Sequence, residues 1–243
     1  MKESKGHRLI AVDLARSLAL LGMVVFHFTF DLELFGHLAP GTTVTGGWAV
    51  FARLVAGSFL FLAGVSLVLA HGEGRRWPAF WRRFLRVAGA AIVVSGATLA
   101  VLPQAFIFFG ILHSIALASL IGMALIFLPW PVLALLAGGV VLADRSLGFE
   151  ALNPLWAVWT GLGTKVPWSM DFVPVFPWLA AFLAGMAAAR VIGALGLWAR
   201  LARWQPGGIL RRLAWPGRHS LAIYLIHQPI LMALVWAGTR LAG

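Results

Sequence analysis

Seven apolar stretches, separated by short polar or basic connections, dominate the 243-residue sequence. They cover approximately residues 9–30, 48–70, 87–103, 106–128, 131–143, 173–195 and 219–240. Most contain the roughly 20 residues that a helix needs to cross a bilayer at about 1.5 Å per residue. The fifth stretch is short and follows a tight turn at Pro129 and Pro131, so its crossing depends on tilt. The pattern predicts an all-α, polytopic transmembrane bundle of about seven spans.

The composition agrees with burial in lipid. Hydrophobic residues make up 61% of the sequence and charged residues 11%, whereas a soluble domain carries about 25% charged residues. The sequence has no cysteine, which excludes disulfides, thiolate nucleophiles and cysteine-ligated metal sites.

Lysine and arginine are distributed unevenly, and their positions account for the net charge of +11. With a cytoplasmic N-terminus, fourteen of them lie on the inner side: Lys2, Lys5, Arg8, Arg75, Arg76, Arg82, Arg83, Arg86, Arg190, Arg200, Arg203, Arg211, Arg212 and Arg218. Only three lie on the outer side: Arg145, Lys165 and Arg240. By the positive-inside rule, this bias predicts a cytoplasmic N-terminus and an odd number of spans. Because topology explains the charge, nucleic acid is not an expected partner.

The first apolar stretch carries four polar residues on one helical face: Asp13, Arg16, His27 and Asp31. Arg16 and His27 are eleven residues apart, which is three turns plus about 20° and about 16 Å along the axis. Ionisable groups within a membrane span are unfavourable unless they face the bundle interior, where they often mark a functional site. The face therefore predicts a polar site inside the bundle.

Two interpretations of this face stay open. In the functional one, Asp31 accepts a hydrogen bond from one nitrogen of His27 and leaves the other as a general base, while Arg16 holds an anionic ligand. In the structural one, Asp13 and Arg16 form an interfacial salt bridge and His27 hydrogen-bonds within the bundle.

Other polar residues carry the same ambiguity. Arg53, in the second stretch, is either functional or a counter-ion to Asp31 and Glu33. Three residues of the later stretches are equally compatible with helix packing and with a site: His113, Tyr224 and His227. The basic cluster Arg82, Arg83 and Arg86 is either a positive-inside flank or a clamp for phosphates.

Haem ligation is a rival hypothesis for the buried histidines. Bis-histidine sites need two histidines at matched depth, and we expect His227 nearer the cytoplasmic side than His27 and His113. We therefore expect no haem and no metal site.

Five motifs in order resemble a known family. They are "HFTFDLELFG" from His27, "FLFLAGVSLVLA" after Arg53, "FFGILHSIAL", "DFVPVFPW" from Asp171 and "GRHSLAIYLIHQPI" from Gly217. Together they are similar to bacterial relatives of the heparan-α-glucosaminide N-acetyltransferase catalytic domain, within the transmembrane acyltransferase superfamily. The Arg16–His27 spacing and the pair Arg83 and Arg86 also resemble acyltransferase family three.

The resemblance implies one acyltransferase domain over residues 1–243 in the bacterial inner membrane. It implies transfer of an acetyl or similar acyl group from cytoplasmic acyl-CoA, as donor, to a hydroxyl or amine of an extracytoplasmic glycan. On this hypothesis Arg16, Arg82, Arg83 and Arg86 bind acetyl-CoA.

The same hypothesis makes His27 the base, Asp31 its partner and Arg53 the oxyanion stabiliser, with Asp13, His113, Asp171, Tyr224 and His227 as further polar positions. His37 is the alternative base, because human-type relatives carry an asparagine at the position of His27 and their catalytic histidine later. The competing class is a small transporter or flippase that uses the buried Asp, Arg and His groups as a proton relay. The oligomeric state is open, and a homo-oligomer is one alternative.

Overall fold

The computed structural model describes residues 9–242, and within that range the regular structure is helical, without strands. Ten α-helices follow one another: α1 Ile10–Leu34, α2 Gly46–His71, α3 Trp77–Val101, α4 Ile111–Ala124, α5 Trp130–Ser146, α6 Val175–Ala194, α7 Leu197–Arg203, α8 Gly208–Leu213, α9 Trp215–Arg218 and α10 Ser220–Ala242. Three short 3-10 turns lie between them, at Pro103–Ala105, Glu150–Leu152 and Val158–Thr160. The all-α prediction is confirmed.

Five of these helices are long and apolar enough to cross a membrane: α1, α2, α3, α6 and α10. α4 has 14 residues and α5 has 17, so they extend about 21 and 25 Å, against a hydrocarbon core of about 30 Å. Large apolar side chains on the helices are exposed, such as Leu18, Ile92 and Leu135, as expected for surfaces that face lipid. The chain is thus an integral membrane protein, while the count of seven spans and the cytoplasmic N-terminus stay predictions.

The predicted boundaries agree with the helices within a few residues at most ends, but the start of α3 was wrong. α3 begins at Trp77, ten residues before the predicted start at 87. Pro78 occupies its first turn, a position that favours helix initiation. Arg82, Arg83 and Arg86, in the turns that follow, lower the local hydropathy, so the hydropathy pattern does not show the start of the helix. Lys2, Lys5 and Arg8, which entered the charge count, lie outside the described residues.

The chain divides into two compact units. The first contains residues up to 59 and from 196 onward, and so comprises α1, the beginning of α2 and α7 to α10. Here α1 packs against α7, α8, α9 and α10. Residues 13 and 17, near the start of α1, contact residues 218 and 217, whereas residues 27 and 31, near its end, contact residues 227 and 228, ten residues further along the chain. α1 and α10 therefore run in the same direction, which is the relation that an odd number of spans requires.

The second unit contains residues 60–195, with the rest of α2 and α3 to α6. α5 packs against α6, and α4 packs against both α3 and α6. At the crossing of α2 and α6, a Cβ at Gly64 would lie 2.1 Å from the Phe182 carbonyl oxygen, and one at Gly185 would lie 2.0 Å from that of Phe61. Only glycine at both positions permits this backbone approach. The single domain predicted over residues 1–243 stays a prediction.

Candidate active site

The polar face predicted for α1 packs against α9 and α10 in the first unit. Asp13 and Asp31 are buried, whereas Arg16 and His27 are half-buried. Their side-chain contacts form one cluster near the start of α1 and another near its end. The prediction that this face points into the bundle is confirmed.

Asp13, 1% exposed, lies between two arginines in the first cluster. Nη1 of Arg16 donates to Oδ1 of Asp13 at 3.0 Å, and Nε of Arg218 lies 3.6 Å from Oδ2. The Gly217 N–H donates to Oγ of Ser17 at 2.8 Å. A Cβ at Gly217 would lie 1.9 Å from the Asp13 carbonyl oxygen, so α9 approaches α1 as closely as only glycine allows. The salt bridge considered for Asp13 and Arg16 is therefore present.

His27 and His227 form a direct pair between α1 and α10. Nδ1 of His27 lies 3.2 Å from Nε2 of His227. Nδ1 of His27 also lies 3.0 Å from the Met23 carbonyl oxygen, and Nδ1 of His227 lies 2.6 Å from that of Tyr224. Because a carbonyl oxygen only accepts, each Nδ1 carries the proton in the neutral rings. Nε2 of His227 then accepts from Nδ1–H of His27, and Nε2 of His27 keeps its lone pair.

This contact corrects the expectation that His27 and His227 lie at different depths. Counting residues from the start of each helix gives the wrong relative depth for the two histidines, because α10 does not begin beside the start of α1. α9, which precedes α10, already packs beside Asp13, within the first turn of α1. The depth argument against haem therefore fails for this pair, although facing nitrogens 3.2 Å apart leave no space for an iron atom between them.

Asp31 does not pair with His27 as predicted. Its Oδ1 accepts a hydrogen bond from Nε2 of Gln228 at 2.7 Å. Side chains in a helix lean toward its N-terminus, so the His27 ring turns back to the Met23 carbonyl, away from Asp31. Oδ2 of Asp31 and Oε1 of Gln228 are buried and lack a donor among the described residues. Such acceptors lose about 1–3 kcal/mol each relative to satisfied ones.

The loop between α1 and α2 folds around Glu33. The Glu33 carboxylate accepts from the N–H of Gly41 at 2.6 Å and from both the N–H and the Oγ1–H of Thr43 at 2.7 Å. Arg53 is exposed and forms no ion pair within residues 9–242, so the counter-ion interpretation is wrong. Nε2 of His37, also exposed, lies 2.7 Å from Oγ1 of Thr239 near the end of α10.

His113 lies in the second unit, and both of its ring nitrogens are engaged. Nδ1 accepts from the Gly110 N–H at 3.2 Å, so the proton of the neutral ring is on Nε2. That nitrogen lies 3.3 Å from Oγ of Ser95, whose hydroxyl donates to the Ile107 carbonyl oxygen. These contacts agree with the packing interpretation of His113.

Asp171, in the same unit, caps the start of α4. Its Oδ2 accepts from the N–H of Ile111, the first residue of α4, at 2.9 Å. A carboxylate at this position satisfies a free helix N–H and interacts favourably with the helix dipole. Backbone hydrogen bonds from Met170 to Ala105 and from Val173 to Phe109 hold the two segments together.

Arg82, Arg83 and Arg86 lie on the first turns of α3, within about 100° of its circumference. Arg82 and Arg86 are exposed, and Arg83 is half-buried. The neighbouring arginines serve the structure by donating to carbonyl oxygens near the ends of α2 and α4: Arg75 to Ala124, Arg76 to Ala70 and Arg190 to Ile126. The arginines of this region therefore have two arrangements. Some donate to backbone carbonyl oxygens, and Arg82, Arg83 and Arg86 lie together on one side of α3.

Sequence reasoning missed four residues. Gln228 and Arg218 lie in the last motif, beside residues that were selected, but only the α1–α10 register shows their partners. Nothing in the sequence marks Ser17. His71, 3% exposed at the end of α2, accepts from the Arg76 N–H at 3.3 Å, and its place at the edge of an apolar stretch was the only signal. Within residues 9–242, no three His, Asp or Glu side chains form a potential metal site.

The sequence model of the family described as heparan-alpha-glucosaminide N-acetyltransferase, catalytic, matches residues 8–229. No curated protein and no solved structure matches the chain. The family resemblance predicted from the five motifs is confirmed.

Proposed function

The chain belongs to the heparan-alpha-glucosaminide N-acetyltransferase catalytic family, and from this premise we propose which reaction it catalyses and with which residues. Membership and the five long apolar helices make it a membrane acyltransferase. We propose that it moves an acetyl or similar acyl group from cytoplasmic acyl-CoA to an amine or hydroxyl of an extracytoplasmic glycan. The membrane we propose is the bacterial inner membrane.

The observation that carries this proposal is the state of His27. Its Nδ1–H is bound to the Met23 carbonyl and faces His227, which leaves the lone pair on Nε2. Nε2 has no hydrogen-bond partner among the described residues, and the side chain is half-buried, not fully enclosed. A base of this kind takes the proton of an amine or hydroxyl as that group attacks the thioester carbonyl. We therefore assign His27 as the general base.

For the donor, we propose that Arg82, Arg83 and Arg86 bind the phosphates of CoA. Guanidinium groups match phosphate oxygens in geometry and charge. Two of the three side chains are exposed on one side of α3. Arg16, in contrast, already donates to the buried Asp13, so we assign it to the organisation of α1.

For the transition state, we propose Arg53 as the oxyanion stabiliser. Its exposed guanidinium has no carboxylate partner within residues 9–242. A positive group with no competing partner can interact with the charge that develops on the carbonyl oxygen.

The base assignment is tested with purified protein in detergent, labelled acetyl-CoA and an amino sugar as acceptor. We expect the wild type to form an acetylated acceptor and His27→Ala to lose this activity. The matched control is His219→Ala, because His219 is exposed and, among the described residues, its ring packs against and hydrogen-bonds to Trp215, four residues earlier. A folded His27→Ala protein with the wild-type rate would disprove the assignment.

The donor site is tested separately by thermal stabilisation with CoA. We expect CoA to raise the Tm of the wild type and of Arg145→Ala, an exposed arginine on α5. Arg83→Ala and Arg86→Ala should reduce that rise. Absence of any CoA effect, together with proton-coupled flux in proteoliposomes, would instead favour the transporter hypothesis.

A further inference from the structure

We propose that His227 is the second member of a proton-carrying pair, which receives the Nδ1 proton of His27 when Nε2 of His27 takes a proton from the acceptor. This inference rests on the proposed function. It assigns to His227 a positioning and proton-storing role beyond helix packing.

The geometry of the pair points to this transfer. Nε2 of His227 lies 3.2 Å from Nδ1 of His27, and its own Nδ1–H is held by the Tyr224 carbonyl oxygen at 2.6 Å. The free electron pair of His227 is therefore directed to the one N–H of His27. The His227 side chain is buried, with 8% exposure, so water does not replace His27 as its main partner.

Orientation of His27 alone does not require His227. The Met23 carbonyl oxygen, 3.0 Å from Nδ1, already fixes the tautomer that leaves Nε2 as the base. A carbonyl oxygen accepts a hydrogen bond but does not take the proton at ordinary pH, whereas an imidazole nitrogen does. Of the two acceptors, only His227 can therefore receive the proton itself.

The positive charge formed on His27 also needs a compensating group in this apolar surrounding. Asp31, the nearest carboxylate along α1, is hydrogen-bonded to Gln228 and not to His27. Asp13 lies nearly four turns away and is paired with Arg16 and Arg218. Transfer to His227 places the charge on a ring whose second N–H is stabilised by the Tyr224 carbonyl.

The proton balance closes within the reaction. As the acceptor nitrogen or oxygen bonds to the thioester carbonyl carbon, its proton goes to Nε2 of His27, and the Nδ1 proton of His27 goes to Nε2 of His227. When the C–S bond breaks, the proton on Nε2 of His27 goes to the departing CoA thiolate. His227 then returns its proton to Nδ1 of His27, which restores the starting pair without any other reactant.

The test uses His227→Gln in the full-length protein. A glutamine side chain can still accept the N–H of His27 but cannot take its proton. We expect kcat to fall by about 10-fold to 100-fold, with KM changed by less than about 2-fold, because part of a base effect of about 10²–10⁴ is lost. His219→Gln, the control, should keep the wild-type kcat. A His227→Gln protein with kcat within about 2-fold of wild type would overturn the relay, because the hydrogen bond alone would suffice.

A proton inventory, measured as the rate in mixtures of H₂O and D₂O, adds a second test. Its shape would not depend on His227 if this residue only held His27 in position. We expect a curved dependence of the rate on deuterium content in the wild type, since two protons move together, and a linear one in His227→Gln. A linear dependence in the wild type overturns the coupled transfer.

¹⁵N NMR of histidine-labelled wild type, without substrates, separates this inference from the proposed function. The relay requires a protonated Nδ1 and an unprotonated Nε2 on both rings, assigned by comparison with His27→Gln and His227→Gln. The opposite tautomer on either ring overturns the relay whether or not the protein transfers acetyl groups. If the tautomers agree but the wild type transfers no acetyl group, the proposed function fails instead.

Discussion

The histidine pair of the first unit and His113 of the second unit look alike in sequence, since each histidine lies within an apolar helix. Their hydrogen bonds differ. His113 uses Nδ1 for the Gly110 N–H and Nε2–H for Ser95. His27 uses only Nδ1, and its Nε2 has no partner among the described residues. The difference between a candidate base and a structural histidine is therefore the remaining lone pair, and burial does not reveal it.

The largest expected effect is on catalysis in the first unit. His27→Ala should lower kcat for acetyl transfer by about 10²–10⁴-fold, because the base is lost, while His113→Ala should lower it by less than about 10-fold. Steady-state kinetics of the two variants at matched amounts of folded protein measures the contrast. Equal losses would mean that the lone-pair criterion does not separate the two histidines.

A second effect concerns the packing that holds the first unit together. Gly217→Val places side-chain atoms where even a Cβ would lie 1.9 Å from the Asp13 carbonyl oxygen. Overpacking of this kind destabilises by about 1–3 kcal/mol or more. Thermal unfolding in detergent should show a lower Tm for Gly217→Val than for Gly238→Ala, whose Cβ would meet open space on α10. Equal Tm values would show that α9 can move away from α1 without loss.

His113 should show the reverse pattern, with its main effect on stability. His113→Ala leaves the Gly110 N–H without its acceptor and removes the hydrogen bond that Nε2–H of His113 donates to Oγ of Ser95, which should destabilise the second unit by about 1–3 kcal/mol. The Tm of this variant should therefore fall more than that of His27→Ala. A larger Tm loss in His27→Ala would reverse the roles that the hydrogen bonds indicate.

Helical periodicity was sufficient to predict that Asp13, Arg16, His27 and Asp31 share one face, because the angle between residues is fixed within a helix. The partners on that face were not predictable. Whether Asp31 meets Gln228 depends on how far α10 slides along α1, and no local pattern encodes that register.

Two of the errors have local physical causes. The pairing of His27 with Asp31 respected sequence spacing but not the direction in which helical side chains lean. The start of α3 was placed ten residues late because Arg82, Arg83 and Arg86 lower the hydropathy of a segment that is nevertheless helical. The five motifs, by contrast, were sufficient for the family, since they depend on residue order and not on geometry.

Asp31→Asn tests the stability of the first unit and not its catalysis. The asparagine amide can donate to Oε1 of Gln228, which is buried without a donor in the described part of the chain, while its oxygen still accepts from Gln228. We expect a gain of about 1 kcal/mol in the free energy of unfolding, measured as a higher Tm in detergent. A lower Tm would show that the charged carboxylate itself stabilises the unit.

His37 should give the smallest effect and decides between the two candidate bases. It is exposed, and Nε2 contacts Oγ1 of Thr239 at 2.7 Å. Within residues 9–242 its ring has no histidine partner comparable with His227, so no described neighbour stores a proton for it. We expect His37→Ala to change kcat by less than about 2-fold, far below the range for loss of a base. Thr239→Val is the matched control, because it removes the same contact and leaves the imidazole in place. A loss of about 10²-fold in His37→Ala but not in Thr239→Val would make His37 the base, and the lone pair on His27 would then have to be explained by its packing alone.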